Sequence, residues 1–228
     1  MDTREHPVRA WFVTGTDTGV GKTFASVALL HALRARGLRA VGMKPVAAGC
    51  ERSAQGWRNE DALALRAASD PAPDYADLNP VALPAATAPQ LAAREAGVTV
   101  ALPPLLAAFS RLAAQADAVV VEGAGGWLAP MGDGLEQSAM AGAVGGQVLL
   151  VVGLRLGCLS HARLTARAIE GDGCRLAGWI GNRIDPDFER ADAYIDLLRE
   201  ALPAPCLGVL AYGEGPDCAA RSLADLLP

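Results

Sequence analysis

Apolar residues along this chain fall in short unbroken blocks. Between the blocks they recur every three or four positions. Short apolar blocks bounded by glycine or charge read as buried strands, and the longer period reads as amphipathic helix. "VRAWFVTG" is therefore predicted as the first strand. "KTFASVALLHALRARG" is predicted as a helix, with Gly37 placed to cap its C-terminus. "LRAVGMK" is a second strand, followed by a Gly/Pro/polar loop and a short helix from about Glu60. "SDPAPDYADLNPVALPAATAPQ" is rich in Pro and Ala and is expected to be irregular. It is too long for an idle connector, so it is expected to cover a site. "PPLLAAFSRLAAQA" is a helix, "DAVVVEG" a strand, "GGWLAPMGDGLEQ" a loop and "QVLLVVG" a strand. A helix from about Leu159, the strand "RLAGWIGN", the helix "DFERADAYIDLLREAL" and the strand "PCLGVLA" complete the series. Strands alternating with helices imply an α/β fold, a mostly parallel sheet with helices on both faces, in one domain over residues 1–228.

Sheets of this kind bind ligands beyond the carboxyl ends of their strands. The chemically suggestive residues sit there. "GTDTGVGKT", Gly15 to Thr23, follows the first strand and opens the first helix. It fits the phosphate-binding loop, in which glycines let backbone N–H groups turn inward around phosphate oxygens. The positive end of the helix points at the same place. In such a loop Lys22 reaches the outer phosphates and the Thr23 hydroxyl binds Mg²⁺. The loop serves enzymes, switches and motors alike, so it fixes nucleotide binding and not the reaction.

Composition sharpens one point. The chain has 18 arginines and two lysines, Lys22 and Lys44. Surface positions tolerate either cation, whereas a site that needs a compact ammonium does not. Lys44, at the end of the second strand, thus joins Lys22 as a candidate for phosphate chemistry. Glu122 ends the strand "AVVV", where a carboxylate can hold a metal or simply face water. The small residues "GAGG" after it allow a ligand close approach. Asp61 reads either as an oxygen ligand for a hard cation or as a first-turn acid that favours the helix dipole.

Other properties exclude partners. A net charge of −5 argues against a nucleic-acid partner. No apolar run is long enough to span a bilayer, and "ARSLADLLP" is too short and acidic for a membrane-binding helix. The charged start "MDTREHPVR" lacks the apolar stretch of a signal peptide, so the expected location is cytoplasmic. Cys50, Cys158, Cys174, Cys206 and Cys218 form no C-x-x-C pair and read as small core residues rather than zinc ligands or disulfides.

Taken in order, "FVTGTDTGVGKT", "KPVAAG", "RNEDALAL", "VVVEGAGGW", "VVGLRLGCLSHARLTA" and "LAGWIGN" resemble the dethiobiotin synthetase family, a P-loop NTPase-like group, over nearly the whole chain. The resemblance implies an ATP- and Mg²⁺-dependent ligase of biotin biosynthesis. Its substrates would be 7,8-diaminopelargonate, CO₂ or bicarbonate, and ATP. One amine captures CO₂ as a carbamate, which attacks the γ-phosphate to give a carbamic-phosphoric anhydride. The second amine then closes the cyclic urea.

By the same resemblance, Lys44, Lys22 and Thr18 are catalytic, and Thr23, Asp61 and Glu122 hold Mg²⁺. ATP is contacted by Gly19, Val20, Gly21, Lys22, Thr23 and Phe24 in the loop, and by Asp61. Further along come Glu122, Gly123, Ala124 and Gly125. Asn182 meets the adenine edge, Arg183 beside it also contacts ATP, and Ala211, Tyr212 and Gly213 form the other wall of the base pocket. The substrate is contacted by Thr18, Lys44 and Ala48, and its carboxylate by Cys158, Leu159 and Ser160 of a partner subunit, because the family works as a homodimer. Ser160 also reads as a helix N-cap. The chain departs from the family pattern at Ala48, where Ser or Thr is usual, at Ala88 and Gln90, and at Cys218, which stands where an acid is expected.

Overall fold

The computed structural model describes residues 8–224. The readings that fall on residues 1–7 and 225–228 lie outside the described residues. The first part of the chain runs β1 (Arg9–Gly15), α1 (Lys22–Ala35), β2 (Ala40–Met43), β3 (Val46–Ala47), β4 (Glu51–Ser53), β5 (Gly56–Arg58), α2 (Glu60–Ala68), α3 (Tyr75–Leu78), β6 (Val81–Ala82) and α4 (Pro89–Ala96). The middle runs α5 (Leu102–Gln115), β7 (Ala118–Gly126), β8 (Pro130–Gly132), β9 (Leu135–Glu136), α6 (Gln137–Ala143) and β10 (Gln147–Gly153). The last part runs α7 (Cys158–Gly171), β11 (Leu176–Asn182), α8 (Ala191–Ala201), β12 (Cys206–Leu210) and α9 (Pro216–Ala224).

Six strands form one sheet in the order β12-β11-β10-β1-β7-β2. All its pairings are parallel. Parallel neighbours need crossover connections, which bury both faces of the sheet under helices. The strands show this residue by residue. Phe12, Val119, Val121, Val148, Leu150 and Val152 pack into one core. Trp11, Val13, Ala118, Val120, Leu149 and Val151 pack into a second core with α1, α2 and α9. Successive side chains of a strand point to opposite faces, so each strand feeds both cores in turn.

That parity positions the site. Ala118 and Val120 of β7 face the α1 side, so Glu122, two residues on, faces it too. On β2, Ala40 faces the same core and Met43 the opposite one. Lys44, next after Met43, therefore returns to the α1 side. β7 lies between β1 and β2, with Met43 level with Val121. The ends of the two strands thus bring Lys44 beside Glu122 over the start of α1.

The sequence reading missed several short elements. The polar loop after β2 contains β3 and the β4–β5 hairpin, which turns through Ala54 and Gln55. Ser53 Oγ takes the place of a longer ladder there, accepting from Gln55 N at 3.1 Å and donating to Gly56 O at 2.9 Å. The stretch expected to be irregular holds α3, β6 and the start of α4. The stretch expected to be a loop holds the β8–β9 hairpin around Asp133-Gly134. Elements of two to four residues are too short to show a hydrophobic period. The last helix, α9, was also not anticipated; its buried Ala219, Ala220 and Leu223 pack with the α1-side core. Cys50 and Cys158 are buried and Cys174 and Cys206 partly so, but Cys218 is exposed, which overturns the core reading for that residue.

Candidate functional site

The loop of residues 15–23 turns sharply because Gly19 and Gly21 have φ of 73° and 86°. Such angles suit glycine and strain other residues. At Gly21 a side chain would also run into the Asn182 amide. Gly21 opens α1 with no side-chain cap and no acid in the first turn. The first backbone N–H groups of a helix lack partners within it, and among the described residues no side chain caps this one. Together with the dipole they form a site for an external anion. α2 contrasts with this. Its N-cap Asn59 accepts from Ala62 N at 3.2 Å, and Glu60 and Asp61 occupy its first turn.

The functional side chains converge beside that loop. Lys44 is 4% exposed, and its Nζ donates to Glu122 Oε1 at 2.5 Å, Asp61 Oδ2 at 3.0 Å and Gly123 O at 3.4 Å. Thr23 Oγ1 donates to the same Glu122 Oε1 at 2.9 Å. Lys22 Nζ folds back on its own loop, donating to Asp17 O at 2.9 Å. Lys22, Lys44, Thr23, Asp61 and Glu122 line one cavity of about 430 Å³, with Thr18 and Gly125 at its wall. Thr87 and Pro89 line it as well, so the segment expected to cover a site does form part of its wall.

The two ammonium groups are tuned in opposite directions. Burial lowers the pKa of Lys22, Lys44 lowers it further, and the nearby carboxylates only partly offset this, leaving it at about 8. Burial also disfavours the charged form of Lys44, but Glu122 and Asp61 outweigh it and hold the pKa above the ordinary lysine range. For Asp61, burial pushes the pKa up, yet the Lys44 charge and its hydrogen bond to Asp61 bring it below the usual carboxylate range.

A hard cation fits this donor set. Glu122 is fully buried, and its Oε2 has no hydrogen-bond partner. A buried carboxylate oxygen without a partner is costly unless something positive comes to it. Among the described residues no cluster of three or more His, Cys, Asp and Glu side chains could cage a metal. A hard cation can be bound through one or two carboxylates, retained waters and substrate phosphates, and the free Glu122 Oε2 is the carboxylate oxygen on offer here.

A second cavity, of about 320 Å³, opens on the other side of the loop. It is lined by Gly19, Phe24, Asn182, Arg183, Ile184 and residues 211–214. Gly19 lines both cavities. Asn182 ends β11 and donates from Nδ2 to Val20 O at 2.9 Å. Val20 itself is 1% exposed, its side chain packed into the α1-side core. Arg183 pairs with Asp192, and Tyr212 stands mostly exposed at the rim.

Cys158, Leu159 and Ser160, the expected carboxylate site at the start of α7, are not among the residues lining the cavity around Lys44. Gly157, not Ser160, holds the cap position of α7. That corrects the capping reading of Ser160, which lies inside the helix and donates its N–H to Gly157 O. Cys158 N likewise donates to Arg155 O. Ala48 lines the first cavity with a methyl group only.

Sequence reasoning missed residues that hold the site rather than line it. Asp17 accepts from Thr18 N at 2.7 Å and from Arg155 Nη2 at 2.7 Å, tying the loop to the turn before α7. Gln137 is fully buried and grips the segment after Glu122. Its Oε1 accepts from Ala124 N at 3.0 Å, and its Nε2 donates to Ala124 O at 2.7 Å and Gly126 O at 2.5 Å. The absence of a side chain at Gly123 leaves room for the Gln137 carbonyl oxygen. A polar residue at the head of α6 carries no local mark of that role. The one available signal is Gly123, which a close approach demands.

Residues 9–215 match the model of an AAA domain family. The chain is 59% identical over 224 residues to the ATP-dependent dethiobiotin synthetase BioD of Xanthomonas euvesicatoria pv. vesicatoria, covering 98% of this chain and 99% of the relative. It is 62% identical over 203 residues to the protein of the same name from Xylella fastidiosa, covering 89% and 90%. Among solved structures, cell division protein FtsY from Thermotoga maritima superposes with a TM-score of 0.54 at 14% identity, over 98% of this chain and 71% of that one. Chloroplast FtsY from Physcomitrella patens gives 0.54 at 19% identity, over 100% and 67%. At such identities the likeness is one of fold.

Proposed function

Since the chain belongs to the ATP-dependent dethiobiotin synthetase family, and is an ATP-dependent ligase, we propose that it closes the ureido ring of dethiobiotin from 7,8-diaminopelargonate, CO₂ and ATP. The observation that carries the reading is the convergence of Lys44, Asp61, Glu122 and Thr23 beside an uncapped helix start. Phosphoryl transfer needs alignment and charge neutralisation more than covalent help from the protein.

In this reading the nucleotide lies across Gly19. Its base sits in the cavity of Phe24, Asn182, Arg183 and residues 211–213, and its phosphates sit on the N–H groups of residues 19–24. Gly123, Ala124 and Gly125 give the phosphates a wall without side-chain obstruction. Lys22 leaves Asp17 O and bridges the outer phosphates. Thr23, Asp61 and Glu122 hold Mg²⁺, which when bound neutralises charge on the phosphates. Lys44 turns from its carboxylates to the transferring phosphoryl group and the carbamate, with Thr18 beside them. The carbamate oxygen bonds to the γ-phosphorus as ADP leaves. The second amine then attacks the carbamate carbon, loses a proton and expels phosphate. The unusual Ala48 forgoes one neutral hydrogen bond to the substrate, a loss of about tenfold at most.

The reading extends to a single domain and a cytoplasmic homodimer, in which the start of α7, at Cys158, Leu159 and Ser160, meets the partner's substrate. Leu128, Leu156 and Leu164, all at least 60% exposed, support such an interface. No helix among the described residues is long and apolar enough to cross a membrane.

The test is formation of dethiobiotin from the diamine, bicarbonate and Mg-ATP by the pure protein, run beside Lys44→Arg. The pocket between Asp61 and Glu122 fits an ammonium, not a planar guanidinium. The variant should lose at least about 100-fold in kcat, the order expected for a displaced catalytic group. Wild-type rates in Lys44→Arg would refute the role given to Lys44. Absence of product from a nucleotide-binding wild type would refute the substrate.

A further inference from the structure

Lys44 is held at its side chain by Asp61 and Glu122, and separately at its backbone by the short segment around α3. Lys44 N donates to Leu78 O at 2.7 Å, and Asn79 Nδ2 donates to Lys44 O at 2.7 Å and to Val81 O at 3.3 Å. Asn79 is 3% exposed and Tyr75 8%. The Tyr75 hydroxyl donates to Asn79 Oδ1 at 3.2 Å and accepts from Asn59 N at 2.9 Å. Asn59 is the N-cap of α2, two residues before Asp61. The Arg58 guanidinium covers the Tyr75 ring at 4.1 Å.

These contacts form a closed circuit. It runs from the Lys44 ammonium to Asp61, through the first turn of α2 to Asn59, to the Tyr75 hydroxyl, to Asn79 and back to the Lys44 carbonyl. One hydroxyl, donor on one side and acceptor on the other, joins the backbone that carries the ammonium to the backbone that carries the carboxylate. A buried hydroxyl bonded on both sides has one orientation and resists displacement. We propose that Tyr75 is a positioning residue of the ligase reaction, whose hydroxyl sets the spacing between Lys44 and Asp61. The inference rests on the reading of those two residues as catalytic and metal-holding. Tyr75 is not among the residues that line the cavity, and acts by fixing where α2 starts relative to the end of β2.

The experiment is Tyr75→Phe, which keeps the ring and the Arg58 contact and removes the one oxygen. Expected is a fall in kcat of about tenfold with KM for ATP within about twofold, because binding survives and alignment does not. Mn²⁺ affinity in the presence of a non-hydrolysable ATP analogue, followed by electron paramagnetic resonance, should weaken about three- to tenfold. Asn79→Ala is the second probe. Its effect and that of Tyr75→Phe should combine to less than their product, as for two links of one chain. If the melting temperature of Tyr75→Phe drops while kcat and Mn²⁺ affinity stay at wild-type values, the hydroxyl is merely structural and the proposal fails. Fully multiplicative effects of the two variants would break the circuit and overturn it as well. Failure of the proposed function appears instead in the wild type, as missing dethiobiotin, while the Mn²⁺ measurement still decides the role of Tyr75.

Discussion

Lys22 and Lys44 carry the same group into the same cavity and meet opposite fates. Lys44 has two carboxylates at hand and is charged firmly, whereas Lys22 has a backbone carbonyl and a neighbouring cation. The pKa of Lys22, about 8 against 10.5 for an unperturbed lysine, makes a signed prediction. Between those values the unfolded chain binds more protons than the folded one. The penalty for holding Lys22 charged is complete below pH 8 and is relieved as pH rises from 8 to 10.5, so this group's contribution to stability improves across that window. Nucleotide binding should reverse the shift, since phosphate charge favours the ammonium. A non-hydrolysable ATP analogue, titrated calorimetrically at about pH 8.5 in buffers of different ionisation enthalpy, should bind with proton uptake that fades toward about pH 6.5. Buffer-independent heats at the higher pH would contradict the neutralised Lys22. That these two positions kept lysine in an arginine-rich chain was legible in the sequence, but their opposite tuning was not. It depends on which carboxylates the fold brings near.

At the scale of elements, the strand-loop-helix of β1 and α1 and the clamped end of β7 work differently. The loop is shaped by its own glycines, so its motif could be read locally. The end of β7 is shaped by Gln137, which holds Ala124 and Gly126 from the start of α6. Replacing it with leucine removes its hydrogen bonds to Ala124, Gly126 and Ala129 and leaves part-buried backbone groups without partners. Gln137→Leu should therefore cost about 2–4 kcal/mol in urea unfolding and lower kcat through Glu122, with a smaller effect on nucleotide affinity. An unchanged unfolding midpoint would show that the segment keeps its shape unaided. Tyr75 and Asn79 belong to the same class. They lie in a stretch whose composition suggested irregularity, because a four-residue helix and a two-residue strand show no period.

At the scale of the molecule, the parallel sheet explains why the candidate residues gather at one end of the strands. Every strand of the main sheet ends at the same edge, so β1, β2, β7 and β11 deliver the loop, Lys44, Glu122 and Asn182 together. The exposed leucines before and along α7, Leu156 at 80% and Leu164 at 60%, make the assembly testable. Light scattering after gel filtration should give twice the chain mass. The double variant Leu156→Glu, Leu164→Glu should shift it toward the monomer, because each buried leucine in an interface is worth about 1.5–3 kcal/mol. In the proposed dimer that shift should also raise KM for the diamine. A variant that remains dimeric would move the interface elsewhere.

The sequence alone determined the order of the six main-sheet strands and of the longer helices between them, the phosphate loop, and the candidates at the strand ends. These depend on hydrophobic period and on residues close in the chain, and both are written locally. The parity of each strand was implicit there too, since side chains alternate whatever the fold. Which strands become neighbours was decided only in three dimensions. β7 inserts between β1 and β2, though it follows them by some 75 residues or more in sequence, and so Glu122 meets both Thr23 and Lys44. Pairing at such distances follows from how crossover helices pack to bury both faces of the sheet, a property of the whole chain that no short stretch carries.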